Sequence, residues 1–133
     1  MKNYHTHTSR CHHAKGTDEE YVAAAISCGC EELGFSDHAP MLFPKSSGYY
    51  SDFRMAPEFA ADYAASIKSL KNKYSAEIDI RLGFELEYYP ALFKDELEFL
   101  KSFDIDYLIL GQHFNLNEYE PAAHYSGHET KSV

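Results

Sequence analysis

The sequence predicts an α/β fold built on parallel strands, and three observations predict it. Apolar runs of strand length alternate with helix-length stripes along the chain as far as Phe114. The run from Ile78 to Tyr89 alternates strictly, with Ile78, Ile80, Leu82, Phe84 and Leu86 on one face and Asp79, Arg81, Gly83, Glu85 and Glu87 on the other. Histidines and carboxylates gather where each candidate strand ends. The order strand, helix, strand, helix, strand, helix, strand at this spacing implies parallel strands joined by right-handed crossovers.

The first strand is short and runs into Tyr4-His5-Thr6-His7. Residues two apart in a strand point the same way, so His5 and His7 present two imidazoles side by side. The loop from Thr8 to His13 brings two more histidines, His12 and His13, back toward the same place. Thr17-Asp18-Glu19-Glu20 is a capping box with acids in the first turn. It opens a helix through Tyr21 and Ile26 that Gly29 closes. Glu32 to Ser36 reads as a second strand and leads into Asp37-His38-Ala39-Pro40.

From Met41 to Arg54 the residues Pro44, Ser46, Ser47, Gly48, Tyr49 and Tyr50 mark a long loop, a common place for a functional lid. Pro57 suits the first turn of a second helix, whose buried stripe is Phe59, Tyr63, Ile67, Leu70 and Tyr74. After the third strand, Pro90 starts a third helix with Phe93, Leu97 and Leu100 inward. A fourth strand, Ile105 to Leu110, ends in Gly111-Gln112-His113. Beyond Phe114 the chain is polar and without period.

At 133 residues the chain has room for one domain with a real core. A net charge of −9 argues against a nucleic-acid grip, which needs clustered Lys and Arg, and suits a protein that carries cations. A phosphate substrate would need those cations to overcome the background repulsion. Cys11, Cys28 and Cys30 cannot all pair, and Cys28-Gly29-Cys30 lacks the spacer of the commoner metal and redox motifs; they read as buried small apolar residues. No apolar run reaches the roughly 20 residues of a membrane span. With no basic-then-apolar leader, the expected compartment is the cytoplasm.

His5, His7, Asp37, His38, Glu85, Glu87 and His113 all fall at the C-terminal ends of the four candidate strands. In parallel α/β barrels the active site is built on that rim. Imidazole is the commonest side-chain metal ligand, so the pattern points to a metal-dependent hydrolase. His12 and His13 compete for one role. Asp37 is read either as a turn residue or as a partner that orients an imidazole. Glu85 and Glu87 share a face, where they repel unless a cation or Arg compensates; the alternative is a solvated edge strand. His124 and His128 read as solvent-facing.

His5-Thr-His7-Thr with the following His13, then Ser36-Asp37-His38-Ala39-Pro40, Gly83-Phe84-Glu85 and Gly111-Gln112-His113-Phe114, resemble in order the motifs of the polymerase-and-histidinol-phosphatase (PHP) superfamily. The Asp-His-Ala-Pro and Gly-Gln-His-Phe forms are most similar to its histidinol-phosphate phosphatase branch. The resemblance implies a distorted barrel of seven βα units, of which residues 1–133 would be the N-terminal four, ahead of a further histidine and an Asp-x-His pair. It implies up to three divalent metals (Zn, Mn or Fe): His5 and His7 on one, Glu85 bridging to a second held by His113, and His13 with His38 on a third. It favours His13 over His12 and Glu85 over Glu87. The implied reaction is metal-assisted hydrolysis of a small phosphorylated substrate, L-histidinol phosphate, in histidine biosynthesis. Asp37 and Arg54 are the candidate catalytic side chains, Arg54 as a fork on the phosphate. Glu87 or the Tyr49-Tyr50 loop would meet the ammonium or imidazole. The alternatives are another PHP phosphoesterase, acting on a nucleotide or sugar phosphate, and a non-catalytic metal-binding remnant.

Overall fold

The computed structural model describes residues 1–126. Its elements alternate as β1 (Lys2–Thr6), α1 (Asp18–Ser27), β2 (Glu32–His38), α2 (Ala60–Lys73), β3 (Asp79–Glu87), α3 (Phe93–Lys101) and β4 (Tyr107–Gly111). The strands form one sheet in the order β1-β2-β3-β4, every neighbouring pair parallel. Parallel pairing places all four strand C-termini on one rim. His38 lies opposite Glu85 and Glu87 opposite Gly111, so the ligand-type residues of three strands end at the same height.

One face of the sheet is apolar and carries the helices. Leu33 and Phe35 of β2 and Ile80, Leu82, Phe84 and Leu86 of β3 pack with Val22 of α1, Tyr63, Ile67 and Leu70 of α2, and Leu100 of α3. On the other face Tyr107 lies flat across β2 and β3. A Cβ added at Gly83 would sit 2.6 Å from its ring and one at Gly34 2.3 Å from its hydroxyl, so both positions need glycine for this close approach. The Tyr107 hydroxyl faces the carbonyls of Tyr4 and Phe35, tying β1, β2 and β4 together.

The capping box stands as expected: Thr17 accepts from the Glu20 amide while Glu20 accepts from the Thr17 amide. Gly29, at φ +70°, turns the chain out of α1. Several expectations change. Phe59 is 51% exposed, because it precedes α2 in a short 3₁₀ turn and leaves the stripe. Pro90 begins a turn, and α3 starts three residues later at Phe93. Cys28 is exposed at the end of α1, whereas Cys11 and Cys30 are buried. The long loop is no free lid: Met41, Ser51, Arg54 and Met55 are buried, and the Leu42 amide donates to Glu96 of α3. Its apolar side chains outweigh its turn-rich composition. Among the described residues no helix is long and apolar enough to cross a membrane.

Candidate metal centre

Four imidazoles converge on one carboxylate at the rim. Glu85 Oε2 lies 3.1 Å from His5 Nε2, 3.5 Å from His7 Nε2 and 3.1 Å from His38 Nδ1, while Oε1 lies 3.5 Å from His113 Nε2. Two ligands each about 2.1 Å from a cation, at angles between octahedral and tetrahedral, lie about 3.0–3.4 Å apart. The spacing therefore suits donors around a cation. His38 Nδ1 supports the same reading: it is buried and has no partner in hydrogen-bonding geometry, despite its closeness to Glu85. The donors divide into His5, His7 and Glu85 on one side and His38, Glu85 and His113 on the other, with Glu85 common to both. Gly111 makes room for this meeting, since a Cβ there would sit 2.7 Å from Glu85 Oε1 and 2.8 Å from His113 Cε1.

Of the two loop histidines, both exposed, His13 is the one that lies against the cluster. Its ring centroid lies 4.8 Å from that of His38 and 6.2 Å from that of His7. His12, at φ +65°, is exposed on the groove between α1 and α2, beside Arg10. The resemblance grouped His13 with His38, but the geometry places the His38 donor with Glu85 and His113 and leaves His13 in ring contact only. His124 is exposed as expected, and His128 lies outside the described residues.

Protonation suits cation binding, which needs neutral imidazoles and ionised carboxylates. Burial, then the neighbouring His38, lowers His7 to about 4 against the pull of Glu85. Burial likewise lowers His38. Burial works to raise Glu85, but the surrounding imidazoles of His38, His5 and His113 outweigh it and hold the carboxyl at about 2. Glu87 is also held at about 2, burial being outweighed by His113, the Phe114 amide and Arg54.

Glu87 is no solvated edge residue, because β3 is an interior strand. One of its oxygens accepts from the backbone amides of His113 and Phe114, at 2.6 and 2.7 Å, and the other lies 3.5 Å from His113 Nδ1. It fixes the backbone at His113 and Phe114 and lies beside the His113 ring. Arg54 anchors it. That guanidinium is 1% exposed and donates from Nη2 to Glu87 and from Nε to Glu118. Two of the three nitrogens expected to fork onto a phosphate are thus engaged by carboxylates, and Nη1 alone is buried without a partner. Asp37, the other candidate catalytic side chain, is wholly buried and accepts from the amide and hydroxyl of Thr8 and from the Cys11 thiol. It stands behind His7 and does not face the open side of the cluster.

The sequence reading missed Glu118, Phe53 and Cys11. Glu118 lies in the segment without period, where nothing local marks it as the buried partner of Arg54. Phe53 stands over the cluster, its ring centroid 4.3 Å from His38, 4.7 Å from His13 and 5.1 Å from His113. Beside it a cavity of about 380 Å³ is lined by His13, Tyr49, Asp52, Phe53, Phe114 and Tyr125. Cys11 sits 3.6 Å from His7 Nδ1, and burial with the charge of Asp37 raises its thiol to about 12.

Residues 3–132 match the PHP domain model. The chain belongs to the PHP domain family. A probable histidinol-phosphatase of Deinococcus radiodurans is 37% identical over 110 residues, 83% of this chain and 41% of that protein. The histidinol-phosphatase of Bacillus subtilis is 34% identical over 117 residues, 83% of this chain and 42% of that protein. The chain thus spans about two fifths of the length of these relatives. Among solved structures, a candidate histidinol phosphatase of Listeria monocytogenes superposes with a TM-score of 0.73 at 27% identity, covering 86% of this chain and 45% of that one. A histidinol phosphate phosphatase of Lactococcus lactis, solved with zinc, L-histidinol and phosphate, shares the fold with a TM-score of 0.68 at 24% identity, covering 84% of this chain and 40% of that one. The four strands therefore form part of a PHP barrel.

Proposed function

We propose that this chain carries the first metal-binding half of a histidinol-phosphate phosphatase, which hydrolyses L-histidinol phosphate to L-histidinol and phosphate in histidine biosynthesis. The observation that carries the reading is Glu85 shared between the His5/His7 and His38/His113 donor pairs. Two relatives at 37% and 34% identity bear that activity in their names. When bound, divalent cations supply positive charge to an attacking water and to the phosphoryl oxygens alike. His5, His7, His38, Glu85 and His113 would hold those cations, with His13 at the margin of the cluster. The donor set of imidazoles and a carboxylate suits Zn, Mn or Fe.

The protein's own residues set the geometry. Glu87, tied to Arg54 and through it to Glu118, holds His113 in place. Asp37 acts as a positioning residue for the loop that carries His7. Phe53 covers the imidazoles and excludes water, which strengthens every charge interaction beneath it. The adjoining cavity offers the aromatic faces of Tyr49, Phe53, Phe114 and Tyr125 and the carboxylate of Asp52, a setting for an imidazole ring and an ammonium group. Of the two groups expected to meet the ammonium or imidazole, this reading keeps the Tyr49-Tyr50 loop, through Tyr49, while Glu87 is occupied by Arg54 and the His113 and Phe114 amides. The net charge of −9 favours a small phosphorylated substrate over nucleic acid. The three unpaired cysteines fit a reducing compartment such as the cytoplasm.

The test has two arms on the same sample. Calorimetric titration with zinc or manganese measures cation binding, and phosphate release from L-histidinol phosphate, set against an aryl phosphate, measures activity and selectivity. The reading expects cation binding and faster release from L-histidinol phosphate. Equal turnover of both esters would assign a general phosphoesterase, and absence of cation binding would overturn the reading at its root.

A further inference from the structure

The carboxylate that ought to orient His7 does not reach it. Asp37 Oδ1 is 3.8 Å from His7 Nδ1, beyond hydrogen-bonding range. Its oxygens are already taken, Oδ1 by the Thr8 amide and Oδ2 by the Thr8 hydroxyl. Between the carboxylate and the ring lies the Cys11 sulfur, 3.3 Å from Asp37 Oδ1 and 3.6 Å from His7 Nδ1. Cys11 and Asp37 are both wholly buried.

The protons in this row can be placed by elimination. Asp37 stands as the acceptor, one oxygen facing the Thr8 amide and the other the Thr8 hydroxyl, both of which donate to it. A thiol has one proton, and three acceptors lie within its reach, Asp37 Oδ1, the Thr8 carbonyl at 3.4 Å and a bare His7 Nδ1, of which the carboxylate is the nearest and the only one carrying charge. With that proton committed, the sulfur offers His7 a lone pair, so Nδ1 must carry the hydrogen between them. The other ring nitrogen, Nε2, is then bare and lies 3.5 Å from Glu85 Oε2. Had the thiol donated to His7 instead, its sulfur would face the Asp37 oxygen lone pair to lone pair with both groups wholly buried. The bare Nε2, by contrast, faces Glu85 on the partly open side of the ring, where a cation would lie between them. The local fold supports this arrangement. Thr8 caps the Ser9–Cys11 turn by accepting from the Arg10 amide, and the same hydroxyl donates to Asp37, so one residue fixes both the turn and the carboxylate.

We propose that Cys11 is a positioning residue: its thiol bridges Asp37 to His7, holds the hydrogen on Nδ1 and so keeps Nε2 free for a cation. The inference rests on the reading that His7 is a cation ligand, and it deepens that reading. In metal centres a histidine usually hands its second nitrogen to a carboxylate or a carbonyl, and loss of that partner weakens binding about 10–100-fold. Here a weakly polar, uncharged thiol takes the place, and the carboxylate acts one bond further back. Burial among apolar and polar groups alike makes the thiol a fixed part of the site.

Two measurements separate this role from plain packing. In the metal-free protein, long-range ¹H–¹⁵N correlation spectra at about pH 7.5 report which nitrogen of His7 carries hydrogen. The wild type is expected in the Nδ1–H form, and an Nε2–H form would overturn the proposal without any variant. Zinc titration of Cys11→Ala and Cys11→Val is expected to show affinity about 10–100-fold below wild type, with His7 moved to the Nε2–H form. Cys11→Ser, which keeps a donor and an acceptor, is expected to restore the tautomer and most of the affinity. Alanine and valine variants that keep both the wild-type tautomer and the wild-type zinc affinity would refute it. Failure of the metal-centre reading itself looks different: the wild type then binds no zinc, while the tautomer spectrum still decides the role of Cys11.

Discussion

Glu96 makes a prediction about stability that depends on nothing bound. Its side chain lies on α3 with no exposed surface; one oxygen accepts from the Leu42 amide at 2.9 Å and the other, Oε1, is buried without a partner. Burial raises this carboxyl from 4.5 to about 7, with the Leu42 amide and Arg54 opposing too weakly to offset it. The folded protein therefore keeps a proton that the unfolded chain gives up near its ordinary carboxylate pKa. Stability from this group is fully present below about pH 4.5 and is lost as pH rises through about 7. At 1.36 kcal/mol per pH unit, the loss comes to about 3 kcal/mol. His7 acts in the opposite sense. Lowered to about 4, it stays neutral in the folded state while the unfolded imidazole charges below about 6.5, so its contribution rises with pH across part of the same window. The absolute pH profile of the protein thus mixes the two. Glu96→Gln isolates one of them, because glutamine keeps the acceptor for Leu42 and does not titrate. Urea unfolding of metal-free wild type and variant at about pH 5 and pH 8 should show the wild type losing about 2.5 kcal/mol more than the variant between the two, the rest of the loss falling below about pH 5. Parallel losses in both proteins would refute the argument, and would mean that water or a rearranged α3 solvates Glu96.

Other perturbations test the metal centre and its support. Glu85→Gln removes the charge common to both donor pairs, and zinc titration should show affinity lower by at least about 100-fold with the fold retained in circular dichroism. Gly111→Ala places a Cβ where Glu85 and His113 meet; the expected outcome is weaker zinc binding together with a stability loss of about 1–3 kcal/mol in denaturant. Arg54→Met leaves Glu87 and Glu118 facing each other as buried anions, which should lower the unfolding free energy by about 3–5 kcal/mol. Replacing Glu118 with Gln in that Arg54→Met background should recover part of the loss, and a double variant no more stable than the single one would argue against the pairing.

Some of the site was legible because its signals are local. The alternation in β3 and the stripe of Tyr63, Ile67 and Leu70 in α2 are periodicities within one element, and they mark the buried face without reference to any neighbour. Strand direction then did the rest. Once the connections are parallel, residues at the ends of four separate runs must share a rim, which is why His5, His7, His38, Glu85 and His113 could be put together from the chain alone. The PHP motifs carry the same information in sharper form.

Other choices were made only by contacts across the fold. His12 and His13 are equivalent in the sequence, and the positive φ at His12 turns one outward and leaves the other against His38. Glu85 and Glu87 share a face, yet the opening at Gly111 admits one to the imidazoles while the other is taken by the His113 and Phe114 amides. Arg54 and Glu118 are 64 residues apart and meet in the interior. Cys11 looks like any small apolar residue until Asp37 and His7 are seen on either side of it. Periodicity reports which face of an element is buried, but a hydrogen bond or ion pair is decided within a few tenths of an ångström by groups on different elements, and only the packed structure brings those groups to that distance.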